Sequence, residues 1–79
     1  MDWMVYIIRC TDGSLYTGIT TNVEKRFQQH FEKKGAKYFY SHTPEEIVFT
    51  EPGHTRSSAT KRELAIKAMA REDKIALFN

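Results

Sequence analysis

The sequence predicts an α+β domain, a small three-stranded antiparallel sheet flanked by about three helices. Three observations predict it. Two runs of alternating side chains, 3–10 and 15–20, flank an Asp12-Gly13 turn. Helical spacing of apolar residues governs 23–34 and again 59–78. The order of elements is strand, hairpin, strand, helix, irregular stretch, strand, helix, which lacks the βαβ repetition of a parallel sheet.

In the first run Trp3, Val5 and Ile7 share one face, and Met4, Tyr6, Ile8 and Cys10 the other. Both faces are largely apolar, so this strand is predicted central and covered on both sides. Asp12-Gly13 tolerates the positive φ of a tight hairpin turn. Counting outward from a two-residue turn pairs 11 with 14, 9 with 16 and 6 with 19, and leaves the adjacency of Tyr6 and Tyr16 open. Gly18, inside the second strand, weakens it unless another group approaches closely there.

Thr21 and Asn22 are both helix N-cap types, and Thr21-x-x-Glu24 fits a capping box. The helix continues through "VEKRFQQHFEKK", with Val23, Phe27, His30 and Phe31 in register and Gly35 as its stop. "AKYFYSHTPEE" reads as a short helix or an irregular turn broken at Pro44. "EIVFTE" is the third strand, closed by "PGH", and one long helix runs from Ser57 or Ser58 through "ATKRELAIKAMAREDKIALF".

Seventy-nine residues suffice for one domain, 1–79, with a modest core. The lone Cys10 excludes an internal disulfide and fits a reducing, cytoplasmic setting. No stretch reads as a signal peptide or a membrane span. The net charge of +2 is a weak pointer to a polyanion, but Lys25, Arg26, Lys33, Lys34 and Lys37 cluster in one segment. Arg56, Lys61, Arg62 and Lys67 form a second basic group; two solvated helix faces account for most of these charges equally well.

Arg26 and His30 lie one turn apart on the first helix, and Glu63 and Lys67 one turn apart on the last. Glu63 falls among Ala59, Ile66 and Ala70 on the predicted inward side, where a carboxylate needs a basic partner or a metal. Each of these residues has a plain alternative: Tyr6 and Tyr16 as sheet aromatics, His30 as a packed ring, Glu63–Lys67 as a helix-surface ion pair.

"MVY", ten residues before "YTG", followed by "NVEKRFQQH" and a later helical glutamate, resembles the GIY-YIG nuclease domain. Met4-Val5-Tyr6 stands where that family has Gly-Ile-Tyr, and Tyr16-Thr17-Gly18 where it has Tyr-Ile-Gly. Arg26 and His30 match its helix motif, and Glu63 its metal-binding glutamate. The similarity covers nearly the whole chain and is strongest to small single-domain bacterial members of undefined role. The chain departs from the pattern at Met4, at Ile19, which is a lysine in some relatives, and near Ile75, where many have asparagine.

The resemblance implies a metal-dependent endonuclease acting on DNA, with Tyr6, Tyr16, Arg26, His30 and Glu63 catalytic. Glu63 would hold one Mg²⁺ or Mn²⁺, and Arg26 would clamp a phosphate oxygen. Tyr6 is favoured as general base, Tyr16 as a positioning hydroxyl and His30 as the acceptor of the tyrosine proton. Lys25, Arg26, Lys33, Lys34, Lys37 and Lys67 are the expected nucleic-acid contacts, on branched, flap or single-stranded DNA. Gly18 would leave the strand open beside the phosphate path. The rival readings are a nucleic-acid-binding module without turnover, which would not need Glu63, and an interaction module in a repair complex.

Overall fold

The structure, a computed structural model, describes residues 2–79. Strands β1 (Trp3–Cys10), β2 (Leu15–Thr20) and β3 (Pro44–His54) form an antiparallel sheet in the order β2-β1-β3. Helices α1 (Val23–Phe31), α2 (Arg56–Lys67) and α3 (Arg71–Ala76) flank it, with a 3-10 turn at Lys37–Tyr40. The predicted fold class holds. So does the central placement of β1, whose residues 5–8 and Cys10 are buried.

β1 divides the core into two. On one face Tyr6, Ile8 and Cys10 pack with Val23 of α1 and Phe39 of the 3-10 turn. On the other, Val5 and Ile7 pack with Ala59 and Ile66 of α2, and Trp3, Leu77 and Phe78 close the edges. The alternation of β1 therefore feeds two hydrophobic layers, as an apolar strand with no solvent face must.

The hairpin register differs from the count by one residue. Cys10 and Ser14 close a three-residue loop, with Cys10 N–H donating to Ser14 at 2.9 Å and Gly13 at φ 87°. Gly13 is the left-handed residue of a three-residue hairpin rather than half of a two-residue turn. Arg9 consequently pairs with Leu15, Ile8 with Tyr16 and Tyr6 with Gly18. A one-residue shift exchanges the faces of a strand. The observed register puts both tyrosines on the α1 side, where the two-residue count would have separated them.

The helix ends also differ. Asn22, not Thr21, caps α1, accepting from Lys25 N–H at 3.1 Å. The Thr21/Glu24 capping box is absent; Thr55 and Ser58 form one at α2 instead. At the C-terminus Lys33 takes the left-handed position, φ 62°, and Lys33 N–H and Lys34 N–H donate to the carbonyls of His30 and Gln29. That is a Schellman closure built on a lysine. Gly35 is small for another reason: a Cβ there would collide with the His30 imidazole. Finally, the predicted long last helix breaks at 68–70, and Ala70, expected inward, is exposed and precedes α3. The third strand is longer than predicted and begins at Pro44 itself, on an edge strand where a missing N–H is tolerated.

Candidate active site

The shifted register brings β1 and β2 to α1 so that Tyr6 and His30 meet. Tyr6 Oη and His30 Nε2 lie 2.8 Å apart, both side chains fully buried. The helical spacing Val23-Phe27-His30 aims the imidazole at the sheet, and two glycines make room for the pair. A Cβ on Gly18 would stand 2.5 Å from Tyr6 Oη, and one on Gly35 would strike the far side of the His30 ring. What approaches Gly18 is therefore the Tyr6 ring of the neighbouring strand, not an open path to a phosphate.

The hydrogen bonds fix the imidazole's protonation. Ala36 N–H donates to His30 Nδ1 at 3.3 Å, so Nδ1 carries no proton. Burial, reinforced by the nearby Arg26 guanidinium, pulls the His30 pKa down to about 4, and the ring is neutral at pH 7. Its single proton is then on Nε2, which donates to Tyr6 Oη. The expectation that His30 takes a proton from tyrosine meets the reverse arrangement: His30 is the donor.

Around this pair stands an aromatic wall. Tyr16 lies edge-on to His30 at 5.4 Å and to Phe39 at 4.8 Å, and His30 and Phe39 approach to 4.2 Å. Burial pushes the Tyr6 phenol far above its ordinary range, and the neighbouring Tyr16 adds to this; Arg26 opposes it by hydrogen bonding and charge. Burial also raises Tyr16, against the pull of Lys67.

Glu63 reaches this wall from the other layer. Ala59 and Ile66 of α2 pack on the Val5 face, yet Lys67 Nζ sits 6.0 Å from the Tyr16 ring centre. The long Glu63 and Lys67 side chains of α2 thus reach past the edge strand β2 toward the tyrosine side. Glu63 is 17% exposed and binds Lys67 at 3.0 Å. Its charge raises both Tyr6 and Tyr16. Among the described residues no three His, Cys, Asp or Glu side chains gather as a metal cage. A single carboxylate still suits a hard cation that completes its shell with water and phosphate.

The five residues Tyr6, Tyr16, Arg26, His30 and Glu63 come together. The six proposed nucleic-acid contacts do not form one surface. Lys33 is spent on the carbonyls of Phe39 and Tyr40, and Lys34 on Glu32, at the far end of α1 with exposed Lys37. Lys67 is paired with Glu63. Lys25 and Arg26 instead line a cleft of about 440 Å³ with Trp3, Asn22, Gln29 and Arg56. The meeting of Trp3 with Arg56, which the sequence places only in a second basic group, could not be read from the sequence because only the fold carries the start of β1 to the first turn of α2.

An α+β sheet of this order, with paired tyrosines on β1 and β2 and an Arg–His helix beside them, is the architecture the resemblance to the GIY-YIG domain implies. The GIY-YIG catalytic domain family matches residues 2–76, and the chain belongs to that family. It is 49% identical over 69 residues to a UPF0213 protein of Desulfotalea psychrophila, covering 86% of this chain and 63% of that protein. A UPF0213 protein of Cupriavidus pinatubonensis is 47% identical, covering 94% of this chain and 82% of the relative. The solution NMR structure of a UPF0213 protein from Bacillus halodurans matches with TM-score 0.60 and 39% identity, over 98% of this chain and 82% of that one. Among the described residues no helix is long and apolar enough to cross a membrane.

Proposed function

We propose that this chain is a metal-dependent endonuclease that hydrolyses DNA phosphodiester bonds in the cytoplasm, in repair or recombination. The observation that carries the reading is the buried Tyr6–His30 pair facing Arg26, Tyr16 and Glu63. A hydrogen bond donated to Tyr6 Oη stabilises the phenolate over the phenol, which is the sense a general base needs. His30 is the donor, and the Arg26 charge acts in the same direction; both work against burial. Tyr16, on the same face, would orient the attacking water. The Arg26 fork, now held by Gln29 at 3.1 Å, matches a phosphate and stabilises charge that grows during displacement. Glu63 would hold one Mg²⁺ or Mn²⁺ after Lys67 yields, which would supply Lewis acidity toward the leaving 3′ oxygen.

The binding-module reading has one observation in its favour: Glu63 is already neutralised by Lys67. Nicking assays on flap, branched and single-stranded DNA with Mg²⁺ or Mn²⁺ separate the two. Glu63→Ala is expected to abolish cleavage with unchanged circular dichroism. Equal cleavage by both proteins would refute the role of Glu63, and no cleavage by the wild type would refute the nuclease reading.

A further inference from the structure

The cleft beside Arg26 has a composition unlike the rest of the surface. Its nine lining residues include Lys25, Arg26 and Arg56 and no acid. Elsewhere the cations are largely spent: Arg9 on Glu45 and Glu46, Arg62 on Glu51, Lys67 on Glu63, Arg71 on the Gly13 carbonyl. The side chains of Lys25 and Arg56 have no ion pair or hydrogen bond among the described residues. Three cations with no acidic partner among the described residues, Lys25, Arg26 and Arg56, therefore share one concavity, whose walls focus their field. Its volume of about 440 Å³ is within the range of small-ligand sites, roughly 300–1,000 Å³.

The cleft also holds the chain's only tryptophan. Trp3 is half-buried at the start of β1, and the Arg56 guanidinium carbon lies 5.6 Å from its ring centre. A flat cation over an indole occupies the place a planar base would take. The separation is too short for a base to enter between them, so a base must displace the guanidinium. Stacking of a base on an aromatic ring outweighs an exposed cation–π contact, and the released Arg56 is then free for phosphate. Asn22 and Gln29 also line the cleft, and their side chains use only their oxygens, toward Lys25 N–H and Arg26. Their NH₂ groups remain as donors for base carbonyls.

We propose that this cleft seats one unpaired nucleotide of a DNA strand, its base on Trp3 and its phosphates on Lys25 and Arg56. It lies next to the phosphate that Arg26 would hold. A paired base cannot present its face to Trp3, so the cleft selects a single-stranded segment beside the cut. The proposal rests on the nuclease reading for the identity of the adjoining phosphate, and its test needs no cleavage.

Trp3 is its own reporter. In EDTA, a thymidine oligonucleotide is expected to quench tryptophan emission saturably, at concentrations about tenfold below those needed with a blunt duplex of equal length. Thymidine 5′-monophosphate should act only at far higher concentration. Labelled-strand anisotropy should show Trp3→Leu weakened about tenfold and Trp3→Phe largely rescued. Exposed Lys25→Ala and Arg56→Ala, which keep the core intact, should each flatten the salt dependence by about 0.7. The proposal is overturned if the strand binds without changing Trp3 emission, if duplex or mononucleotide quenches equally well, or if no strand binds. Cleavage that needs Glu63 but leaves Trp3 silent sinks the cleft alone. Quenching without Glu63-dependent cleavage sinks the nuclease reading alone.

Discussion

Acidification should destabilise this fold through His30, by an amount the structure allows to be worked out. In the native state the ring is buried, neutral and pulled to about 4, whereas an unfolded histidine titrates near 6.5. Its folded pKa is depressed, so the unfolded chain binds the extra proton first. The native state loses nothing above about pH 6.5 and loses stability progressively as the pH falls from there toward 4. The full difference corresponds to about 3 kcal/mol, of which about 2 kcal/mol is gone by roughly pH 5. A chain this size has a total stability on the order of 4–12 kcal/mol, so the effect is large. Asp12 is held below the ordinary carboxylate range by Ser14 and His42. Glu51, although burial raises it, is lowered on balance by His54 and Arg62. Stability from those groups is lost only below about pH 4, outside the interval used. Urea unfolding at about pH 7.5 and about pH 5, on wild type and His30→Gln, isolates the histidine. The wild type should lose about 2 kcal/mol more than the variant between the two. An identical pH dependence in both proteins would refute the depressed pKa and neutral state of His30.

Tyr6→Phe leaves the His30 Nε2–H buried without an acceptor and should cost about 1–3 kcal/mol by urea unfolding. In the nicking assay it should also lower the rate about a hundredfold, more than Tyr16→Phe does; the reverse ranking would make Tyr16 the base. Gly18→Ala puts a methyl against Tyr6 Oη and should cost about 1–3 kcal/mol, with a shifted Tyr6 ring resonance by NMR; an unperturbed ring would contradict the close contact. Arg26→Ala should reduce the saturated cleavage rate more than DNA affinity, and weaker binding at an unchanged rate would remove its catalytic role.

The strands and the start of α1 could be read from local signals, because alternation, Asp12-Gly13 and an N-cap residue act within a few positions. The register could not. Two- and three-residue turns use the same Asp-Gly pair, and only the closure of Cys10 on Ser14 separates them. The break at 68–70 carries no glycine or proline, so the helical pattern ran straight through it. Gly35 looked like a helix stop because glycine usually is one; its neighbour His30 is adjacent in space rather than along the chain. The tyrosines, Arg26, His30 and Glu63 came from a resemblance, and spacing alone left each with an ordinary structural role. The cleft was not legible at all, since Trp3 and Arg56 are 53 positions apart and each looks unremarkable in its own segment.

Arg71 Nη2 donates to the carbonyl of Gly13 at 2.8 Å, and Leu77 and Phe78 pack against the Val5–Ile7 layer. The first hairpin is thus clasped by residues made some sixty positions later. β1 likewise lacks one of its two neighbours until β3 arrives. During synthesis the hairpin and α1 leave the ribosome with their second apolar layer bare, and nothing local can cover it. Closing such distant contacts costs chain entropy before any burial is gained, which slows folding and prolongs exposure. The nascent first half of this chain therefore keeps that apolar layer exposed until residues 77 and 78 can dock.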